Sequence, residues 1–292
     1  MSGRAAPDRS EGQEYEFGPW QDLFNGRDLS GWRPIPRTPA PMYPGGPYHA
    51  DVYPGYAEKC GTTSGKWEVS GGAIVGGQEP PGGLGAYLLS EAVFGDFELT
   101  FEIKPDWPAD TGVILRATEL GSQGFQVLVD HRQSGGIGGF YGNGIGGFHA
   151  LAFNVDVSRD QAGRPTALVV EDPKTTREPV TAAKRALLRH IPRPEDFLAA
   201  WRWGDWNRLT VRCVGRYPML TSYLGDLKLY ELDTGMIDWP DYDREATAGL
   251  LGREGHIALE VHDNDPGLGD GRWGPGAVVR WRNIALRSVV TG

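Results

Sequence analysis

The stretch FELTFEI, residues 97–103, alternates without interruption. Phe97, Leu99, Phe101 and Ile103 fall on one side of an extended chain, and Glu98, Thr100 and Glu102 on the other. A period of two is the signature of a strand with one buried face and one wet face. The same pattern recurs in GVILRA (112–117), GFQVLVD (124–130), RLTVRCV (208–214) and HIALEVHD (256–263). Half-buried strands repeated this often, with no regular run of crossover helices between them, predict an antiparallel sandwich and exclude a parallel α/β sheet.

Composition points the same way. The 292 residues include 43 glycines and 22 prolines, which break helices and supply the turns that many short strands need. Residues 20–288 read as one β-sandwich after a flexible segment at 1–19. Two insertions interrupt it, at about 33–65 and 160–203. The first is too rich in Pro, Gly and Tyr for regular structure, and a loop of that length is functional or mobile. Within the second, residues 181–203 (TAAKRALLRH, then PEDFLAAWRW) read as helix, with Pro194 in a first turn and Phe197, Leu198 and Trp201 at core spacing.

A net charge of −9 argues against nucleic acid or an anionic membrane surface as partner, because both require a basic face. Ten tryptophans in such a chain suggest platforms for sugars, since a flat apolar ring matches the C–H face of a pyranose. The N-terminal stretch carries no apolar run, which leads to the expectation of a cytoplasmic protein. Cys60 and Cys213 are too few for a disulfide framework.

The glycine-rich stretch SGGIGGFYGNGIGGF (134–148) contains the G-x-G-x-x-G spacing at Gly142, Gly144 and Gly147. A dinucleotide turn follows a strand and opens a helix, and FHALAFNVDVSRD after Gly147 has no capping residue and soon turns polar. The stretch is therefore not read as a phosphate cradle. No G-x-S-x-G elbow, activated cysteine or E-x-D-x-x-E pair of carboxylates is present.

Strand alternation also nominates a site. With the large apolar residues turned inward, the opposite face collects Arg116, Gln126, Asp130, Glu260 and His262. Arg116 is a candidate to hold an oxyanion. Glu260 and His262 share a strand face closely enough to couple as acid and base. His131 follows Asp130 directly and points the other way. HDND (262–265) makes His262, Asp263 and Asp265 candidate ligands for a divalent metal, calcium, magnesium, manganese or zinc, although acidic loops of this kind also occur as plain turns.

LFNGRDLSGWR (23–33), WEVSGGAIVGG (67–77), FGDFELTFEIK (94–104), TGVILRA (111–117), GFQVLVD (124–130), GGFYG (138–142), WGDWNRLTVRCVG (203–215), GHIALEVHD (255–263) and VRWRNIALR (279–287) follow one another in the order found in the 3-keto-disaccharide hydrolase family, which the chain resembles over roughly residues 20 to 288. The resemblance implies a concanavalin-A-like jelly roll with a concave sugar-binding face, and cleavage of glycosides oxidised to a ketone at C3. It implies a route in which Glu260 or His262 removes the C2 proton and Arg116 stabilises the enolate. Gln126, Asp130, Tyr141 and His131 would then contact the sugar. The chain departs from the family pattern G-[FY]-E-V-Q, reading Gly124-Phe125-Gln126-Val127-Leu128, so an amide stands in place of a carboxylate. A non-catalytic, lectin-like module is the competing expectation, and a structural partner in a larger complex is a third.

Overall fold

The computed structural model describes residues 15–50, 52–172, 176–264 and 267–291. Among these residues, two antiparallel sheets face each other in a jelly-roll sandwich. The larger sheet is centred on the strands Asn207–Val214, Phe97–Pro105 and Val278–Thr291. The smaller runs, in spatial order, through His149–Ala150, Ile137–Asn143, Gly124–Val129, Gly112–Ala117, His256–Val261, Ala86–Ser90 and Trp32–Pro36.

The alternation read from the sequence sets the core. Phe97, Leu99, Phe101 and Ile103 from one sheet pack with Val113, Leu115, Phe125, Val127, Val129, Ile257, Leu259 and Val261 from the other, all essentially inaccessible to water. Burial of this kind contributes about 1.5–3 kcal/mol per large apolar side chain and dominates the stability of the sandwich. A second, smaller apolar cluster lies on the far face of the seven-stranded sheet, where Tyr87, Leu89, Ile114, Ala117 and Ala258 meet. That sheet is therefore covered on both faces, and the outer cover belongs to the site described below.

Three expectations about the connections are corrected. Tyr15–Phe17 pairs with Val289–Thr291 as an edge strand, so the ordered chain begins before residue 20. Within 33–65, Trp32–Pro36 forms an edge strand against Ala86–Ser90, and Tyr56–Cys60 is a short helix. Pro34 and Pro36 are accommodated because an edge strand leaves one side without ladder partners. Within 181–203 the helical pattern breaks into Ala182–Ala186 and Pro194–Ala200, and Leu188–His190 between them pairs with the strand Leu227–Asp233. Tertiary pairing there overrides local propensity. Phe197 and Trp201 are nevertheless buried, as their spacing predicts. Between the two insertions' outer limits, Val155–Arg159 and Pro165–Val170 form a separate hairpin.

The glycine-rich stretch is not a nucleotide turn. Ile137–Asn143 is a strand, Gly144, Gly146 and Gly147 turn the chain at positive φ, and His149–Ala150 returns antiparallel to it, with no helix opening after Gly147. Cys60 and Cys213 are both buried free thiols. No described helix is long and apolar enough to cross a membrane.

Candidate functional site

Glu260 sits on the outer face of the seven-stranded sheet, in the strand His256–Val261, and is wholly buried. A buried carboxylate is costly unless donors surround it, and here they do. Arg37 Nε donates to Oε1 at 2.9 Å, and Gln126 Nε2 donates to Oε2 at 2.5 Å. The Tyr87 hydroxyl donates more weakly to Oε1 at 3.4 Å, and Asn143 Nδ2 in turn reaches the Tyr87 oxygen at 3.5 Å.

Two glycines allow this convergence. Gly112 lies between Gln126 and Glu260 on the sheet face, and a Cβ there would stand 2.7 Å from Gln126 Nε2 and 2.8 Å from the Val127 carbonyl oxygen. Without a side chain at 112, the amide crosses one strand to reach the carboxylate. Gly85 lets the Arg37 side chain pass, since a Cβ there would come within 2.7 Å of its Cδ. The Arg37 backbone N–H is fixed on the Gly85 carbonyl at 3.3 Å.

Arg37 is the hub of the site. Besides Glu260, its Nη1 donates to Asp263 Oδ1 at 2.5 Å and its Nη2 to His262 Nε2 at 3.1 Å. The other ring nitrogen of His262, Nδ1, lies 2.8 Å from the Asp263 carbonyl oxygen. Tyr56, from the insertion's short helix, donates to Asp263 Oδ2 at 2.7 Å. Burial opposes ionisation of Asp263, but Arg37, His262 and Tyr56 outweigh it and hold its carboxyl well below the usual range. Burial likewise opposes the Arg37 charge and is overcome by Asp263, Tyr87 and Glu260. The Arg37 side chain keeps 20% of its surface exposed while Glu260 keeps none, so the guanidinium is the layer a ligand meets first.

A second polar group adjoins this one. His262 Nε2 lies 3.9 Å from Asp110 Oδ2, which also receives Arg272. Arg132 Nη2 bridges Asp110 Oδ2 at 3.1 Å and Asp130 Oδ2 at 2.6 Å. Burial raises the Asp110 carboxyl, but His262, Arg132 and Arg272 reverse this and lower it overall. Asp130 is pushed the other way, to about 6, by burial and by the charge on Asp110.

The structure thus brings Gln126, Glu260 and His262 together, with Tyr141 beside them as the direct cross-strand partner of Gln126. Tyr141 stands edge-on to His149 at 6.0 Å, and burial raises its phenol above the ordinary value. Asp130 lies one layer away, in the turn after its strand.

Two expected site residues are elsewhere. In the strand Gly112–Ala117 one extra residue opposes His256–Ala258, and Arg116 takes φ 50° at this bulge. The irregularity breaks the alternation that placed Arg116 with Glu260. Its guanidinium instead donates to Asp96 at 2.7 Å, beside Phe125 and Leu251. His131 packs against Trp203 at 5.4 Å and bonds the Asp106 carbonyl through Nε2 at 3.0 Å.

As for a metal, no three His, Cys, Asp or Glu side chains converge as a cage among the described residues. The donor atoms of His262 and Asp263 are committed to Arg37, Tyr56 and the local backbone. Asp265 lies outside the described residues.

Sequence reasoning missed Arg37, Tyr56 and Tyr87. Tyr87 was legible in principle, because it alternates with Leu88 in AYLLS. Arg37 and Tyr56 sit in a segment with no periodicity to reveal where they point.

Fold and site together describe a jelly-roll sandwich of two antiparallel sheets with a polar, arginine-capped site on the outer face of its smaller sheet. The chain belongs to the 3-keto-alpha-glucoside-1,2-lyase-like domain family, whose model matches residues 19–287. That family places it among carbohydrate-active proteins. Solved structures similar to it include a provisionally named glycosyl hydrolase from Parabacteroides distasonis, with 15% identity and a TM-score of 0.46, covering 93% of this chain and 100% of that one. The carbohydrate-binding module CBM66 from Bacillus subtilis shows 15% identity and a TM-score of 0.42 over 77% of this chain and 92% of its own. A Bacillus licheniformis β-glucanase shows 9% identity and a TM-score of 0.41 over 96% and 99%. No curated protein matches the chain in sequence.

Proposed function

We propose that the protein cleaves 3-keto-glycosides, 3-keto-disaccharides among them, by elimination across C1 and C2 followed by hydration. The observation that carries this reading is the convergence of Arg37, Gln126 and Tyr87 on the buried carboxylate of Glu260. Family membership supports the substrate class.

A ketone at C3 acidifies the C2 hydrogen. In the proposed route the substrate carbonyl oxygen takes the exposed side of the Arg37 guanidinium, competing with Glu260 for it. Oε1 of Glu260, so released, accepts the C2 proton, and the electron pair moves onto the C3 oxygen as an enolate that Arg37 stabilises. Collapse of the enolate forms the C1–C2 double bond and breaks the C1–O bond to the aglycone. The aglycone oxygen is protonated by a neighbouring acid, a role we give to Tyr141, whose phenol stays protonated through the neutral range. Water then adds at C1 while a proton returns to C2, giving the free 3-keto sugar. Arg37 takes the role that strand alternation assigned to Arg116. Gln126 holds Glu260 and, where a carboxylate would repel it, donates a hydrogen bond.

Incubation with a panel of 3-keto-disaccharides, with and without a chelator, tests the reading and any metal requirement together. Consumption of substrate by the wild type and its loss in E260Q and R37A are expected. Full activity in both variants would remove the assignment. The lectin-like alternative predicts binding with no consumption.

A further inference from the structure

A cleft of about 520 Å³ opens beside Trp107 and Trp203, at the end of the sandwich where the strand Phe97–Pro105 runs out. It is large enough for a small ligand, within the few hundred to ~1,000 Å³ usual for such sites. The crevice beside Arg116, at about 10 Å³, has room for none.

Its lining is unlike the Glu260 site. The rings of Trp107, Trp203 and Pro108 and the bare backbone of Gly204, Gly274 and Gly276 form half of the wall. Lys104 and Asp106 contribute one charge of each sign, and Asp106 is already held by Arg280 at 2.7 Å and by the Val278 N–H at 3.1 Å. No excess charge faces the space, which disfavours phosphate or carboxylate ligands.

The aromatic wall is built to stay in place. His131, which also lines the cleft, packs tilted against Trp203, with ring centroids 5.4 Å apart and planes 31° apart, and is itself anchored on the Asp106 carbonyl. Arg159, from the separate hairpin, lies over the Trp107 ring at 4.8 Å. Asp130 and Arg132, on either side of His131 in sequence, belong to the Asp110 group that reaches His262. One connection therefore separates this cleft from the Glu260 site.

We infer that this cleft is a second, non-catalytic glycan-binding site, taking a neutral oligosaccharide whose pyranose faces stack on Trp203 and Trp107. Fixed indole rings match the apolar C–H face of a sugar, and glycine walls let hydroxyls reach the backbone. The sugar class rests on the proposed carbohydrate activity, while the site itself uses none of the residues assigned to cleavage.

Titration calorimetry of the full chain with cellohexaose, maltohexaose and laminarihexaose tests the inference. At least one is expected to bind the wild type and E260Q alike. Binding is expected to weaken at least ~10-fold in W203A and in W107A, and W203F, which keeps a flat ring, to retain most of it. Turnover of 3-keto-disaccharides by W203F is expected to stay within about twofold of wild type. Absence of binding by the wild type to all three glycans, unchanged binding in both alanine variants, or binding of 2-naphthol without any glycan would overturn the inference. Glycan binding lost in W203A by a protein that consumes no 3-keto-disaccharide would leave the second site standing and remove the cleavage proposal.

Discussion

Two glutamates, one on the outward face of each sheet, are buried beneath arginine, and they are held in different ways. Glu98, in the strand Phe97–Pro105, is 4% exposed. Its direct cross-strand neighbours are Arg212 and Arg287, and both donate to it, Arg212 through Nε at 3.0 Å and Arg287 through Nε at 2.8 Å. Tyr15 and Phe17 lie over Arg212, and Phe17 and Trp20 over Arg287. Sheet register fixes every member of that group. Among the described residues Glu260 pairs with one cation, Arg37, which enters from outside its strand pair, just beyond an edge strand, and divides its donors among Glu260, Asp263 and His262. A cation shared three ways can be drawn off by a ligand, while two cations that sheet register holds on one carboxylate cannot. The first arrangement serves stability, and the second is available for chemistry.

The largest expected contrast comes from removing each carboxylate. E260Q should lower kcat on 3-keto-disaccharides by about 10³-fold while the protein remains folded. E98A should leave the kcat of the folded protein unchanged and cost about 3 kcal/mol in urea unfolding, because the buried Arg212 and the half-buried Arg287 both lose their partner. Equal activity losses in the two variants would erase the distinction. The cations should follow the same division. R37A is expected to cost about 10²-fold in kcat/KM, with R37K intermediate because lysine cannot serve three partners with one planar fork. R212A should register in thermal unfolding alone.

A smaller effect is expected at Gly112. A methyl group there meets the Gln126 amide, so G112A should reduce kcat about 10-fold and lower stability by about 2 kcal/mol, overpacking being its cause. Q126A should reproduce the kinetic loss without the full stability loss, and a G112A enzyme of wild-type activity would detach Gln126 from the mechanism.

The smallest effect concerns pH. Burial lowers His131 to about 4 and His149 to about 3, from an ordinary value of 6.5. Their contribution to stability is complete above pH 6.5 and is lost as pH falls through the folded values. Asp130 runs oppositely. Raised from 3.8 to about 6 by burial and by Asp110, it contributes fully below 3.8 and loses that contribution as pH rises through 6. Acidification from pH 6.5 to 4 should therefore lower the melting temperature more steeply in D130N than in the wild type, as calorimetry at the two ends would show. Parallel slopes would contradict the assignment for Asp130.

The sequence exposed the sandwich because alternation is a property of single strands. FELTFEI and HIALEVHD each show their buried face without reference to any neighbour, and the core follows from them. The same logic put Gln126, Glu260 and His262 on one face, and the structure brings them together around Arg37. It failed at Arg116, where one extra residue shifts the register and turns the side chain to Asp96. It was silent on Arg37 and Tyr56, whose segment carries no period, and their place is set by the edge strand that delivers them. Asp110 and Asp130 sit in connections, where spacing alone does not show that Arg132 bridges them.

The most direct test of the account is the fate of the C2 hydrogen. A 3-keto-disaccharide is cleaved in D2O, and the released 3-keto sugar is read by NMR against an enzyme-free control that corrects for spontaneous exchange. Removal of the C2 proton followed by hydration predicts deuterium at C2 in step with cleavage by the wild type, and none above the control with E260Q. Cleavage by the wild type that leaves the original hydrogen at C2 would contradict elimination and the role given to Glu260.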